Sequence, residues 1–280
     1  MYCIQLIING ILLGSVYALI GLGMSIILGI AKLTNLAHGV FVVLGAYISA
    51  ALVSIMGVDP LITLASSVPL MFLLGYLLQY FLISRAMKKG NEAALLVSFG
   101  LSIVVQDLLL IIFSADVQSI PAAYSIASIH IGTLVLSVLN LLLFGISLTV
   151  IIFLWIFLNK SYIGRAIRAA SDDLECAALC GASVEKIYAI AMGVAMASAA
   201  VAGLCVGMKW TFSPSSGGNY LLTSFAVVVI GGLGSVPGTL IAGMLFGLAQ
   251  VLGGPNYGLL ISYVLLVLVL VVKPKGIFGK

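Results

Sequence analysis

Long, uninterrupted apolar runs decide what this chain can become. They lie at about Ile4 to Ile30, Leu36 to Met56, Leu61 to Ile83, Ala93 to Ala115, Leu134 to Leu158, Ile187 to Met208, Leu221 to Ile230, Gly238 to Leu252 and Tyr257 to Val272. A helix needs about 20 apolar residues to cross the hydrocarbon core of a bilayer. None of the runs alternates apolar with polar positions as the strands of a membrane barrel do. Hydrophobic residues make up 63% of the 280 positions and charged ones 7%, and the mean hydropathy is +1.32. No soluble core of this size has so little polar cover. The predicted fold is an all-α, polytopic transmembrane helical bundle. It is a single domain over residues 1–280 with about 8 or 9 membrane segments, broken or re-entrant helices included. The start of the chain has neither the basic residues nor the cleavage site of a secretory signal, so the first run is expected to stay as a helix.

One stretch breaks the apolar pattern. Residues 160–186 read KSYIGRAIRAASDDLECAALCGASVEK, in a chain with only 12 basic and 8 acidic side chains. Lys160, Arg165, Arg168, Asp172, Asp173, Glu175, Glu185 and Lys186 all fall there. A segment this polar between apolar runs belongs in water. Read as a helix beginning near Ser171 or Asp172, it carries its carboxylates in the first turn, where the macrodipole favours them. Ala177, Ala178 and Gly181 then form a low-relief face that another protein can approach closely. The plainer reading is an amphipathic loop with a solvated face.

Charge sets the topology. With this stretch in the cytoplasm and each run crossing once, Lys32, Arg85, Lys88, Lys89, Lys160, Arg165, Arg168, Lys186, Lys273, Lys275 and Lys280 fall inside, and only Lys209 outside. That is a strong positive-inside bias. It puts the N-terminus outside and requires an even number of passages between Leu221 and Leu252, either two short spans or a hairpin. Asp116 to Gly132, with Pro121, Tyr124 and His130, and Lys209 to Tyr220, with Trp210, then read as external loops open to a soluble partner.

Polar interruptions within the runs are the candidates for a translocation path. In Thr34-Asn-Leu-Ala-His-Gly-Val-Phe41, Asn35 and His38 share a face at i, i+3, next to Gly39. Such a break can offer backbone groups to a substrate. Equally, Asn35 can cap the helix while His38 bonds a carbonyl. Gln106 and Asp107 interrupt the fourth run. An Asp inside a span costs on the order of 3 kcal/mol unless it faces a cavity or a partner, or reaches the outer interface. Gly231, Gly232 and Gly234, followed by Pro237 and Gly238, break the seventh run. Irregular backbone at membrane depth must be buried in protein or line a wet cavity; a tight turn between helices is the alternative. The pairs Gly10/Gly14 and Gly203/Gly207 read as close helix packing.

Catalysis finds no footing here. A Gly-x-x-x-x-Gly-Lys-Ser/Thr phosphate loop is missing, so any ATP that drives the protein must bind another chain. His38 and His130 fall in different segments. Cys3, Cys176, Cys180 and Cys205 show no CxxC spacing, and no His stands beside Cys176 and Cys180. No catalytic centre, metal site, cofactor or nucleic-acid partner is expected.

Five ordered segments carry a resemblance. They are Asn35-Leu-Ala-His-Gly39 continued by Leu44-Gly-Ala-Tyr47, Ser98 to Gln106, Glu175-Cys-Ala-Ala-Leu-Cys-Gly181, Ile230-Gly-Gly-Leu-Gly234 with Gly238-Thr239, and Lys273-Pro-Lys-Gly-Ile-Phe-Gly279. Together they resemble the permeases of branched-chain (LIV-type) amino-acid ABC importers, nearer the LivH than the LivM half. The resemblance implies a multi-pass protein of the cytoplasmic (inner) membrane that is not itself an enzyme. It implies as partners a LivM-like second permease, two ABC ATPase subunits and an extracytoplasmic substrate-binding protein. A coupling helix that docks on an ATPase would involve Arg165, Arg168, Asp172, Glu175, Ala177, Ala178 and Gly181. Leucine, isoleucine and valine are the default substrates, and a related branch takes urea or short amides. The rival from another class is a self-sufficient channel or ion-coupled carrier. Such a protein needs no docking surface, and an ion-coupled one usually carries ionisable groups at depth, for which Asp107 is the one clear candidate.

Overall fold

Helix α1 (Tyr2–Ala31) is the most enclosed of the membrane-length helices. The computed structural model describes residues 2–31, 34–131, 134–179, 181 and 183–279, and for 2, 31, 123, 131, 174 and 175 the backbone alone. Lys32, Cys180 and Lys280 lie outside the described residues. After α1 come α2 (His38–Met56) and α3 (Leu64–Leu77), which runs through a π-helical turn (Leu78–Ile83) into the short α4 (Ser84–Met87). Next are α5 (Asn91–Phe113), strands β1 (Ser128–Ile131) and β2 (Leu134–Ser137), and α6 (Val138–Lys160). The polar stretch forms α7 (Tyr162–Asp172) and α8 (Leu174–Leu179), followed by α9 (Val184–Lys209), α10 (Gly217–Gly231) and α11 (Val236–Val272).

α1 and α9 are almost wholly enclosed, whereas α5 and much of α11 face outward. Small residues decide this. A Cβ on Gly14 would lie 2.5 Å from the Gly243 carbonyl oxygen, and one on Gly247 would lie 2.5 Å from the Gly14 Cα. α1 and the start of α11 therefore touch backbone to backbone. α2 and α9 do the same, where a Cβ on Gly203 would meet the Ala46 nitrogen at 2.5 Å and one on Gly45 the Ala200 Cα at 2.8 Å. Lipid tails are as apolar as leucine, so this close van der Waals contact takes the place of a hydrophobic drive.

α11 is not one straight rod. Gly254 sits at φ 67°, ψ −172°, and Pro255 opens the helix beyond it. The Ser262 hydroxyl donates to the Phe246 carbonyl at 3.0 Å across a separation of 16 residues, which a straight helix would hold about 24 Å apart. The Phe246 and Tyr263 rings also meet, 5.6 Å between centroids. Arms 236–253 and 255–272 are thus antiparallel. Together α10 and the first arm supply the even number of passages that the charges require. Among the described residues 7 helices are long and apolar enough to cross a membrane; counting the arms separately and adding the shorter α10 brings the segments to about nine.

Two local features depart from the sequence reading. Leu134 to Ser137, expected at the start of a helix, pairs antiparallel with β1, Ser128 opposite Ser137. Gln5 holds this small hairpin to α1, its side chain donating to the Val135 carbonyl at 2.6 Å and accepting from the Val135 N–H at 3.1 Å. The two loops expected outside also pair with each other, through a bridge between Gln118 and Phe212 and a bond from the Ile120 N–H to the Gly207 carbonyl at 2.8 Å.

The charges separate by end. Lys88 pairs with Glu185 at 2.7 Å, at the α7–α8 end of the bundle. Lys209 stands at the other end, 5.5 Å over the Trp210 ring and bonded to Asn140. In a cysteine-free background, an impermeant maleimide is expected to label Asn256→Cys and Ser215→Cys from one side of the membrane and Lys275→Cys from the other. Reaction of Lys275→Cys from the same side as Ser215→Cys would mean that α11 crosses once.

Candidate functional site

α7 has two clearly different faces. The Ser161 side chain caps it by accepting from the Gly164 N–H at 2.9 Å. Gly164, Ile167 and Ala170 are buried against the bundle, while Arg165, Arg168 and Asp172 are exposed. Arg168 reaches back to Asn159, bonding its carbonyl at 3.1 Å and its side-chain oxygen. Asp173 then leaves the helix in extended backbone and accepts from the Cys176 N–H at 3.0 Å. It is the N-cap of α8. The expected helix therefore begins at Leu174, three residues after Ser171, which with Asp172 closes α7 instead.

α8 is a single short turn of helix with Ala177 turned inward and Ala178 and Leu179 outward. Gly181 was expected on its low-relief face. It instead follows the helix at φ +84°, with open space around it, because a chain leaving a helix commonly needs a left-handed residue there. Glu175 belongs to α8, but its side chain lies outside the described residues. Arg165, Arg168, Asp172, Ala178 and Gly181 are thus exposed along one end of the bundle, while Ala177 is not. The sequence reading left Leu179 off that face, and it is 87% exposed. A large aliphatic residue amid small ones in a polar loop was the available signal, and covering it is worth roughly 1.5–3 kcal/mol.

The path candidates fall into three separate places. Asn35 accepts from the Ala37 N–H at 3.0 Å and its amide nitrogen points at the Met192 sulfur, 3.6 Å away. His38 is fully buried and its Nε2 meets the Ile20 carbonyl at 2.9 Å. Asn35 thus closes a turn ahead of α2, whose N-cap position is Ala37 and carries no side-chain cap, and His38 bonds a carbonyl as the second arrangement has it. Gly39 lets α2 pass against α10, since a Cβ there would lie 2.5 Å from the Leu221 nitrogen.

Asn35 also lines a small cavity with Thr34, Gln79, Ser98, Ile27, Ile83 and Met192, of about 20 Å³, room for about one water molecule. Gln79 comes from the π-helical turn, a kind of helix defect often found at functional sites. Its amide nitrogen makes only long contacts, 3.4 Å to Ser84 and 3.5 Å to the Met87 sulfur. The sequence reading missed it, although a glutamine inside the third apolar run was visible. Gln106 and Asp107 lie elsewhere, on α5, where Gln106 is half-buried while Asp107 is exposed on the outward side and Gly100 has open space beside it. Gly231, Gly232 and Gly234 form the turn from α10 to α11 at the α7–α8 end, with Gly234 against Gly29 of α1. No group of three His, Cys, Asp or Glu side chains suited to a metal ion occurs among the described residues.

Comparison with known proteins fits this architecture to a family. The profile described as the permease component of the branched-chain amino acid transport system matches residues 6–272. The chain belongs to this family. The high-affinity branched-chain amino acid transport system permease protein BraD of Pseudomonas aeruginosa is 32% identical, over 99% of this chain and 96% of its own length. LivH of Escherichia coli is 28% identical, over 100% of this chain and 96% of its own. A probable LivH of Methanocaldococcus jannaschii is 25% identical, over 98% and 92%. The solved structure of PsaBC from Streptococcus pneumoniae in complex with Fab shares the fold, with TM-score 0.51, 15% identity and coverage of 96% of this chain and 92% of that one. The protein is accordingly a multi-pass membrane permease, and the family match spans every candidate residue described above.

Close packing at Gly39 has a direct test. Gly39→Ala is expected to lower stability by about 1–3 kcal/mol, read as a fall in thermal midpoint in detergent. Gly100→Ala, with open space around it, is expected to leave the midpoint unchanged.

Proposed function

We propose that this chain is the membrane-spanning permease subunit of an ATP-binding-cassette importer that takes branched-chain or other hydrophobic amino acids from an extracytoplasmic binding protein. The observation that carries the reading is the exposed platform of α7 and α8 at one end of a bundle from this family. Arg165, Arg168 and Asp172 offer charge, and Ala178 with the bare Leu179 offers an apolar contact. A channel has no use for such a platform; a separate ATPase docks on it. One of two ATPase subunits binds there from the cytoplasm, and closure of the pair moves α7 and α8. The bundle then shifts from inward-facing to outward-facing and receives substrate at the end where Gln118 pairs with Phe212.

A LivM-like second permease completes the path. α5 supports this, because an acid exposed to lipid costs on the order of 3 kcal/mol and Asp107 is exposed among the apolar Ile103, Val104, Leu108 and Ile111. Facing a second permease across a polar path, it meets no such cost. A second substrate reading, urea or a short amide, follows from the related branch named above.

The complete system in proteoliposomes separates these readings. Radiolabelled leucine should enter with ATP and urea should not. Ala178→Arg, on the exposed face of α8, should lower uptake by at least about tenfold, as expected for a docking loss of 1.4 kcal/mol or more, and should abolish copurification of the ATPases. Ala178 serves better than Gly181, where the positive φ strains any side chain. ATP-driven uptake of urea alone would select the amide reading. Leucine uptake that persists without the ATPases would make the protein a channel or carrier.

A further inference from the structure

Three helix ends meet beside α7, and the bonds that complete two of them come from elsewhere in the chain. The last carbonyls of a helix have no partner within it. At the end of α1, the Gly29 carbonyl accepts the Ser171 hydroxyl of α7. At the end of α10, the carbonyls of Ile230 and Gly231 accept the N–H groups of Ile277 and Phe278, at 2.8 and 3.1 Å. α11 starts from the same turn, its first residues capped by Ser235, which accepts from the Gly238 N–H at 3.1 Å.

Glycine alone separates these ends. A Cβ on Gly29 would lie 2.5 Å from the Gly234 Cα, and one on Gly234 would lie 2.7 Å from the Gly29 Cα. A Cβ on Gly232 would lie 2.5 Å from the Gly279 nitrogen. Contacts of backbone on backbone leave no flexible side chain to absorb a displacement, and a close-packed interior passes strain on. Ser171 adjoins the buried face of α7, next to Ala170, while Arg168 and Asp172 face water. The Ser171–Gly29 bond thus ties the two-faced α7 to the end of α1, the most enclosed of the membrane-length helices.

We infer that this knot is the mechanical link from the docking platform to the core of the bundle, and that Ser171 is a positioning residue for transport. The inference rests on reading α7 and α8 as the ATPase docking site. It goes further in naming the bond through which docking reaches α1, and in giving the segment 276–279 a share in holding that bond's surroundings.

A residue that merely stabilised the fold would lower ATP hydrolysis and transport together; a link in the coupling changes their ratio. In the assembled importer in proteoliposomes, Ser171→Ala is expected to raise the ATP hydrolysed per leucine imported about fivefold, the weight of one typical hydrogen bond. Ser171→Thr, which keeps the hydroxyl, should restore the ratio. An unchanged ratio in Ser171→Ala overturns the inference. A second measurement does not need transport. Hydrogen exchange on the assembled complex, with and without residues 276–280, should show the amides of α7 opening about fivefold faster in the shortened chain. Acceleration confined to residues 229–235 overturns the link. If the intact assembly imports no leucine with ATP, the functional proposal fails while the exchange measurement still decides the link.

Discussion

The near-contact of α1 with the first arm of α11 governs the rest of the bundle. Gly14 faces Gly243 and Gly247, and a Cβ on Gly243 would lie 2.5 Å from the Ala18 nitrogen. In lipid, no exclusion of water pulls two apolar helices together, so they hold only as well as they fit. Removing side chains along one stripe of each helix lets the backbones meet and lets every flanking residue add its own contacts. α9, α10 and α6 then close around α1. That enclosure is what makes the end of α1 a sensitive place, and what forces a residue as polar as His38 to find its partner in the Ile20 carbonyl.

The sequence made the number and order of the membrane segments legible, because length and apolarity alone decide whether a stretch can cross. The turn inside α11 was visible as well, since the apolar runs stop at Leu252 and resume at Tyr257 around Gly253-Gly254-Pro255. Which face each helix turns inward was not legible. Helices apolar all round carry no 3.6-residue signal, and glycine spacing is suggestive only when the facing helix is known. β2 was hidden for a similar reason, since Leu134 to Ser137 continues without a break into the apolar start of α6. In the polar stretch, Ser171, Asp172 and Asp173 are three successive residues that can cap a helix. Only the place where α7 ends shows that Asp173 does so.

The candidate path residues show how ambiguous a polar residue in an apolar run is. Each can cap, bond a carbonyl, allow a turn or meet a substrate, and the sequence offers the same letters for all four. Asn35 bonds the Ala37 N–H and His38 Nε2 the Ile20 carbonyl, while the buried His38 Nδ1 has no bond within the chain. The glycines at 231, 232 and 234 shape a turn. Asp107 differs because it is exposed on a helix whose other exposed residues are mostly apolar. Gln79 was missed because a lone glutamine is only weakly polar against so apolar a background, and a π-helical turn has no reliable sequence signature.

The contact between Gly14 and Gly243 joins the first helix to the last third of the chain. During synthesis α1 enters the bilayer well ahead of α11, and the surface it will finally bury against that helix has no partner until the helices between them have followed. Its glycine stripe must spend that interval against lipid or against provisional neighbours. The turn at Gly254 eases the final step, because the two arms of α11 are neighbours in sequence and can pair with each other as they emerge. The first arm then reaches α1 as part of a preassembled hairpin, so the architecture is completed by the docking of a formed unit and not by the threading of a single helix into a crowded bundle.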